Sequence, residues 1–215
     1  MYGPSFATVG EVGAAKIKDM AYSAIETGDT MLLIDPTTAA YTELVYIIEA
    51  DAKDLIGEEA VAGWYFDNGD DTFTYKGNDS VSLGCAFWIF AGMGSADVTD
   101  AGEVSGTFSR TLPAALYSAF ANPFPTTVPL KTFVYGATET GDTMLLIDPT
   151  TAAYTELVYI IEADAKDLIG EEAVAGWYFD NGDDTFTYKG NEMFAPGQGC
   201  WIFPGMGSVT ITGEL

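Results

Sequence analysis

Histidine is absent from the 215-residue chain, and Arg110 is its one arginine. Without histidine there is no common general base, no Ser-His-Asp or Cys-His arrangement, and no imidazole for a metal. One guanidinium makes a phosphoryl-transfer or anion site unexpected. No glycine-rich loop follows a strand and opens a helix as a phosphate cradle would. Carboxylates are what remains: 32 Asp and Glu stand against 8 Lys and Arg, for a formal net charge of −24. A glycosidase-type pair could be drawn from them. With acids this abundant such a pair carries little information, so the expectation is a protein that is not an enzyme.

The densest acidic group is Asp67-Asn68-Gly69-Asp70-Asp71, which recurs as Asp180-Asn181-Gly182-Asp183-Asp184. Calcium takes six to eight oxygens, and Asp67, Asp70 and Asp71, or Asp180, Asp183 and Asp184, with an Asn carbonyl would begin such a shell. The spacing is not that of the twelve-residue EF-hand loop. The competing reading is a hairpin turn, with Asn-Gly supplying positive φ and the aspartates in water. Trp64, Tyr65, Trp88, Tyr41 and Tyr75 allow a similar choice between a sugar-stacking platform and core or cross-strand packing. So acidic a surface repels nucleic acid and anionic lipid, and no run of about 18 apolar residues is present to span a membrane. Met1 to Gly10 lacks the basic and apolar regions of a signal peptide, so the sequence reads as a mature chain or one exported by another route. Cys85 and Cys200 fall one in each half, which leaves free buried thiols or a link between halves or between chains.

The elements that must position these groups come as an internal repeat. Residues 26–78 recur without change as residues 139–191, an offset of 113. Beyond the identical block, Trp88-Ile89-Phe90 matches Trp201-Ile202-Phe203, and Lys18, Tyr22 and Ala24 match Lys131, Tyr135 and Ala137. Inside each copy the pattern is strand after strand. Met31–Ile34 is a short apolar run closed by Asp35-Pro36, and Tyr41–Glu49 is rich in β-branched and aromatic residues. Trp64–Phe66 and Thr72–Tyr75 flank the Asn-Gly turn, and Phe87–Phe90 and Val209–Thr212 follow. Only Glu49–Val61 looks capable of a helical turn or two. The expected fold is all-β: two tandem β-sandwich domains, jelly-roll or Ig-like, over residues 1–101 and 102–215. Copy two has a long lead-in, Gly102–Leu130, with room for two strands, where copy one has only Met1–Lys16. Ala86-Phe87-Trp88-Ile89-Phe90 is apolar on both strand faces and needs cover on both.

Leu116–Pro125 (LYSAFANPFP), Gly141–Tyr154 (GDTMLLIDPTTAAY) and Pro196–Leu215 (PGQGCWIFPGMGSVTITGEL) carry a family likeness. The chain resembles the tandem β-domains of secreted and cell-surface proteins of planctomycete-, verrucomicrobial- and bacteroidete-like bacteria. The matching positions are Asn122, Pro123, Phe124 and Pro125, then Asp148, Pro149 and Tyr154, then Gly197, Gly199 and Trp201. Cys200 stands where that pattern prefers an aromatic, Cys85 replaces Gln198 in copy one, and copy one lacks the N-P-F-P element. The resemblance implies an extracellular or cell-surface β-domain without assigned catalysis, and it transfers no active site.

A duplicated all-β chain whose first copy is short of strands leads to the expectation of a structural subunit that polymerises with copies of itself. It would build an extracellular filament, sheath or surface layer by β-strand addition. The N-terminal segment, with Phe6, Val9 and Val12 as its buried side chains, is the expected assembly strand. The alternative is a secreted carbohydrate- or surface-binding module with two equivalent sites, for which the partner is a glycan.

Overall fold

The computed structural model describes residues 14–23, 26–35, 38, 40–82, 85–92, 98–100, 106–148, 151 and 153–215. The expected assembly strand with Phe6, Val9 and Val12 lies outside them. Among the described residues the chain is mostly β-strand, in several antiparallel sheets, with two α-helices of seven residues each.

The first half supplies β1 (Ala14–Lys16), β2 (Met20–Tyr22), β3 (Thr30–Ile34), β4 (Tyr41–Ile47), α1 (Glu49–Leu55), β5 (Gly63–Asp67), β6 (Phe73–Tyr75), β7 (Ser80–Ser82), β8 (Phe87–Phe90) and β9 (Val98–Asp100). Five of these form one sheet in the order β6-β5-β4-β3-β8, while β1 pairs with β7 and β2 with β9. The β3–β4 reversal is set by Asp35. Its carboxylate accepts the Thr38 N–H at 3.0 Å, and its own N–H donates to the Ala40 carbonyl at 2.7 Å. An aspartate bonding its own turn in this way fixes the register, so β4 returns with Leu44 opposite Met31. The helix falls inside the one segment expected to hold a helical turn. Glu49 and Asp51 occupy its positive end, Lys53 Nζ meets Glu49 at 2.6 Å one turn back, and buried Ala52 lets it lie close against Ile47 and Tyr65.

The second half supplies β10 (Thr107–Leu112), β11 (Ser118–Ala121), β12 (Val128–Pro129), β13 (Phe133–Tyr135), β14 (Thr143–Ile147), β15 (Tyr154–Ile160), α2 (Glu162–Leu168), β16 (Gly176–Asp180), β17 (Phe186–Tyr188), β18 (Met193–Phe194), β19 (Gly199–Phe203) and β20 (Val209–Glu214). A six-stranded sheet runs β11-β19-β14-β15-β16-β17, a three-stranded one runs β10-β20-β13, and β12 pairs with β18. Across the identical sequence block the pairings recur: Met31 opposite Leu44 becomes Met144 opposite Leu157, and Val45 opposite Tyr65 becomes Val158 opposite Tyr178. The lead-in of the second half holds β10 and β11, and the two-residue β12 besides.

One buried cluster joins the two larger sheets of the second half. Phe108 and Leu112 of β10, and Val209 and Ile211 of β20, meet Phe120, Met144, Leu157 and Ile202 of the six-stranded sheet. The alternation that produces this is plain in β20, where Val209, Ile211 and Gly213 face inward and the residues between face solvent. Asn122 turns the chain after β11. Its Oδ1 accepts the Phe124 N–H at 2.9 Å, and its Nδ2 donates to the carbonyls of Thr126 and Phe194 at 3.0 and 2.8 Å. The turn drops Phe124 flat against Phe133, with ring centroids 5.5 Å apart and planes 12° from parallel. Each fully buried ring of this kind stabilises by about 1.5–3 kcal/mol.

The halves meet at β11. Phe120 pairs with Cys200 of β19 on one edge and bridges Cys85 on the other. Ala119 and Ala121, on the opposite face of the strand, pack with Ala86, Ile34 and Trp201.

Candidate functional site

The six aspartates proposed for calcium sit at the tips of the β5–β6 and β16–β17 hairpins. There the carboxylates serve the turn itself. Asp67 Oδ1 accepts the Gly69 N–H at 2.8 Å, Asp70 accepts the Thr72 hydroxyl, and Asn68 Nδ2 reaches Thr72 at 2.9 Å. Asp180, Asp183 and Asn181 repeat these bonds on Gly182 and Thr185. Gly69 and Gly182 take the positive φ that Asn-Gly predicts, and Asp71 and Asp184 follow at φ 61° and 60°. Among the described residues no group of three Asp, Glu, Cys or His is placed to hold a metal ion. Asp67, Asp70, Asp180 and Asp183 thus bond within their hairpin turns, with Asp71 and Asp184 in the left-handed region beside them.

The aromatics divide between inside and outside. Trp64 and Trp177 are buried, each in a trio with two tyrosines: Tyr22 and Tyr46 in the first half, Tyr135 and Tyr159 in the second. Tyr65 is buried with its hydroxyl on the Val61 carbonyl at 2.6 Å, and the Tyr75 ring lies 5.3 Å from it. Tyr41 is exposed and Trp88 half-buried.

Beside each trio is a buried carboxylate that sequence reasoning missed. Asp142 is 4% exposed; it accepts the Tyr135 hydroxyl at 2.7 Å and the Gly205 N–H at 2.7 Å. Asp29 is 8% exposed and holds Tyr22 at 2.6 Å and the Gly92 N–H at 2.7 Å. Burial, reinforced by the adjacent carboxylate, pushes the Tyr22 and Tyr135 hydroxyls well above the ordinary phenol range. The available signal was the tyrosine seven residues before the Asp of a Gly-Asp pair in both halves. These groups tie the strand-β2 and strand-β13 tyrosines to the tips after β8 and β19. They point to architecture, since both oxygens of each carboxylate are already engaged.

Near β11, Arg110 reaches inward from β10 and its Nη1 donates to the Ala119 carbonyl at 2.7 Å. Burial lowers its pKa, while Cys85 and Cys200 lie close enough to act on it. Both cysteines are buried and free, and burial raises both thiols. Because they flank Phe120 from opposite edges, their Cα atoms are two strand spacings apart, about 10 Å. That exceeds the roughly 7 Å limit for a disulfide, so a link between the halves is excluded in this fold.

The edge of the five-stranded sheet is the candidate interaction site. β19 carries β14 on one side and β11 on the other, whereas β8 ends its sheet with β3 as its only strand partner among the described residues. The two strands share the run Trp-Ile-Phe. In β19 the ring of Phe203 lies 4.9 Å from that of Tyr117, in the lead-in to β11. In β8 the equivalent Phe90 is 75% exposed. An exposed aromatic at the end of an apolar strand is a candidate contact point for another surface.

Comparison with protein-family models, with curated proteins and with solved structures returns no match. No helix among the described residues is long and apolar enough to cross a membrane.

Proposed function

We propose that this protein is a non-catalytic structural subunit of an extracellular or cell-surface assembly, a filament, sheath or surface layer that grows by β-strand addition between copies of the chain. On this reading residues 1–101 and 102–215 are two β-sandwich domains of one kind, and the second is complete where the first awaits a strand. The observation that carries it is the contrast between β8 and β19: the same apolar Trp-Ile-Phe run is covered by β11 in one half and ends at an exposed Phe90 in the other. Main-chain pairing along such an edge supplies affinity, and side-chain pockets supply register. The glycan-binding alternative draws less support, since Trp64, Tyr65 and Trp177 face the core. Electron microscopy of the purified protein tests the assembly. Regular filaments, tubes or sheets are expected, and a field of separate monomers at every concentration and salt condition would overturn it.

A further inference from the structure

We propose that the outer face of the five-stranded sheet, beside the C-terminal end of α1, is a docking groove for a basic amphipathic helix of another protein, and that the second half carries the same groove again. The contact uses side chains on a sheet face and no strand edge, so it is independent of assembly by strand addition.

Strand register places the groove. Phe90 is opposite Thr30, Thr30 opposite Val45, Val45 opposite Tyr65 and Tyr65 opposite Tyr75, so these residues share one face across five strands. Met31, Leu44 and Trp64 point into the core from the other face. On the outer face α1 packs on Ile47 and Tyr65 through Ala52, but Leu55 at its end is 56% exposed. Two adjoining hollows of about 570 and 510 Å³ flank Phe73 there. One is lined by Thr30, Val45 and Leu55, with exposed Glu43 and Asp67 at its margin. The other is lined by Tyr65 and the exposed Ile56 and Val61, with Glu58 and Glu59 beside them. The second half repeats the floor with Ile160, Ala165 and Tyr178, and Leu168 is again 56% exposed, with Ile169 and Val174 exposed too.

Charge decides the occupant. Among the described residues lining the two hollows there is no Lys or Arg, and Lys53, the cation of α1, is held by Glu49 at 2.6 Å. An apolar floor edged by carboxylates fits a partner whose aliphatic side chains are flanked by Lys or Arg. A second copy of this chain does not meet that description: its net charge is −24, and Lys16 and Lys18 are its only two cations within ten residues of each other. From β8 to β6 the sheet is four strand spacings wide, about 19 Å, which a helix covers in about 13 residues. The two halves differ at one end of the groove. The ring of Phe203, the counterpart of Phe90, lies 4.9 Å from that of Tyr117, whereas Phe90 is 75% exposed. The first groove therefore offers one more open ring and should bind the more tightly.

The probe is a synthetic peptide of about 14 residues, with Leu at helical spacing along one face and Lys elsewhere, titrated calorimetrically into the full-length protein. Two peptides should bind per chain, Leu55→Ser should leave one, and Leu55→Ser/Leu168→Ser should leave none; both leucines are exposed, so the fold tolerates their loss. Phe90→Ser should weaken the tighter site about tenfold and leave the other unchanged. A peptide with every Leu replaced by Ser keeps the charge, and one with every Lys replaced by Glu keeps the apolar face; each should bind at least about tenfold more weakly. Equal binding of the Ser-for-Leu peptide would reduce the contact to plain charge attraction, and unchanged binding by the double variant would put it elsewhere. Either result, or no binding of the Leu/Lys peptide at all, overturns the proposal. Loss of self-association in the double variant without peptide would overturn it as well, by showing that the grooves join copies of the chain.

Discussion

Asp142→Ala removes two acceptors at once, and the duplicated sequence provides its control. In the second half the Tyr135 hydroxyl and the Gly205 N–H both donate to Asp142, and the Tyr135 bond is buried. The Tyr135 hydroxyl, left without a partner in the interior, costs about 1–3 kcal/mol, and the exposed Gly205 N–H loses a bond worth about 1 kcal/mol, so the substitution should destabilise by about 3 kcal/mol. Asp29→Ala breaks bonds of nearly the same length to Tyr22 and the Gly92 N–H. Tyr22 is half-buried and Gly92 exposed, so water can replace the lost acceptor, and only the net worth of two bonds disappears, about 2 kcal/mol. Asp142→Asn keeps an oxygen for Gly205 and should recover about half of the loss. Urea unfolding of the full chain measures all three, followed through tryptophan emission, because Trp177 touches Tyr135 and Trp64 touches Tyr22 at 4.9 Å in each case. If Asp29→Ala costs as much as Asp142→Ala, or if Asp142→Ala costs under about 1 kcal/mol, the burial argument fails.

Alkaline stability should follow the buried tyrosines. Desolvation holds the Tyr135 and Tyr159 hydroxyls protonated in the folded state. With the folded pKa raised, the contribution is fully present below the unfolded value of about 10 and is lost as pH rises from there through the folded value. Absorbance at 295 nm should show these tyrosines ionising only with unfolding, and a reversible titration of all tyrosines near pH 10 in the native protein would contradict this. Millimolar Ca²⁺ should leave the melting temperature unchanged, because the hairpin aspartates already bond within their turns. A rise of several degrees in a calorimetric scan would instead show an ion site there. Gly190→Ala sets a Cβ 2.0 Å from the Tyr188 hydroxyl and Gly77→Ala one 2.1 Å from that of Tyr75; both should lose about 1–3 kcal/mol in denaturant titrations, and no loss would mean the rings swing aside freely.

What could be read in advance was local. Met31–Ile34 and Trp64–Phe66 announce strands as apolar runs followed by Asp-Pro or Asn-Gly, Phe87–Phe90 does so as an apolar, aromatic run, and the lead-in of the second half shows room for β10 and β11. The choice between cation loop and hairpin turn needed atoms, since an aspartate that caps its own turn and one that binds an ion look alike in sequence. The bridge from Cys85 to Phe120 was invisible for a different reason. It joins residues 35 apart by backbone alone, and backbone pairing leaves no residue signature. Asp29 and Asp142 sat unnoticed among 32 acids, because composition does not say which one is buried.

The identical 53-residue block has a consequence for how the chain finds its fold. β3 and β14 have the same sequence, as do β4 and β15, so no side chain tells β3 whether it has met β4 or β15. Connectivity alone decides. The correct partner closes a turn of a few residues, while the wrong one closes a loop some twenty times longer, a difference of about 2.7 kcal/mol in chain entropy. That margin corresponds to about one wrong pairing in a hundred encounters. At the strand-pairing stage, the accuracy of folding in this protein is therefore set by the brevity of its turns.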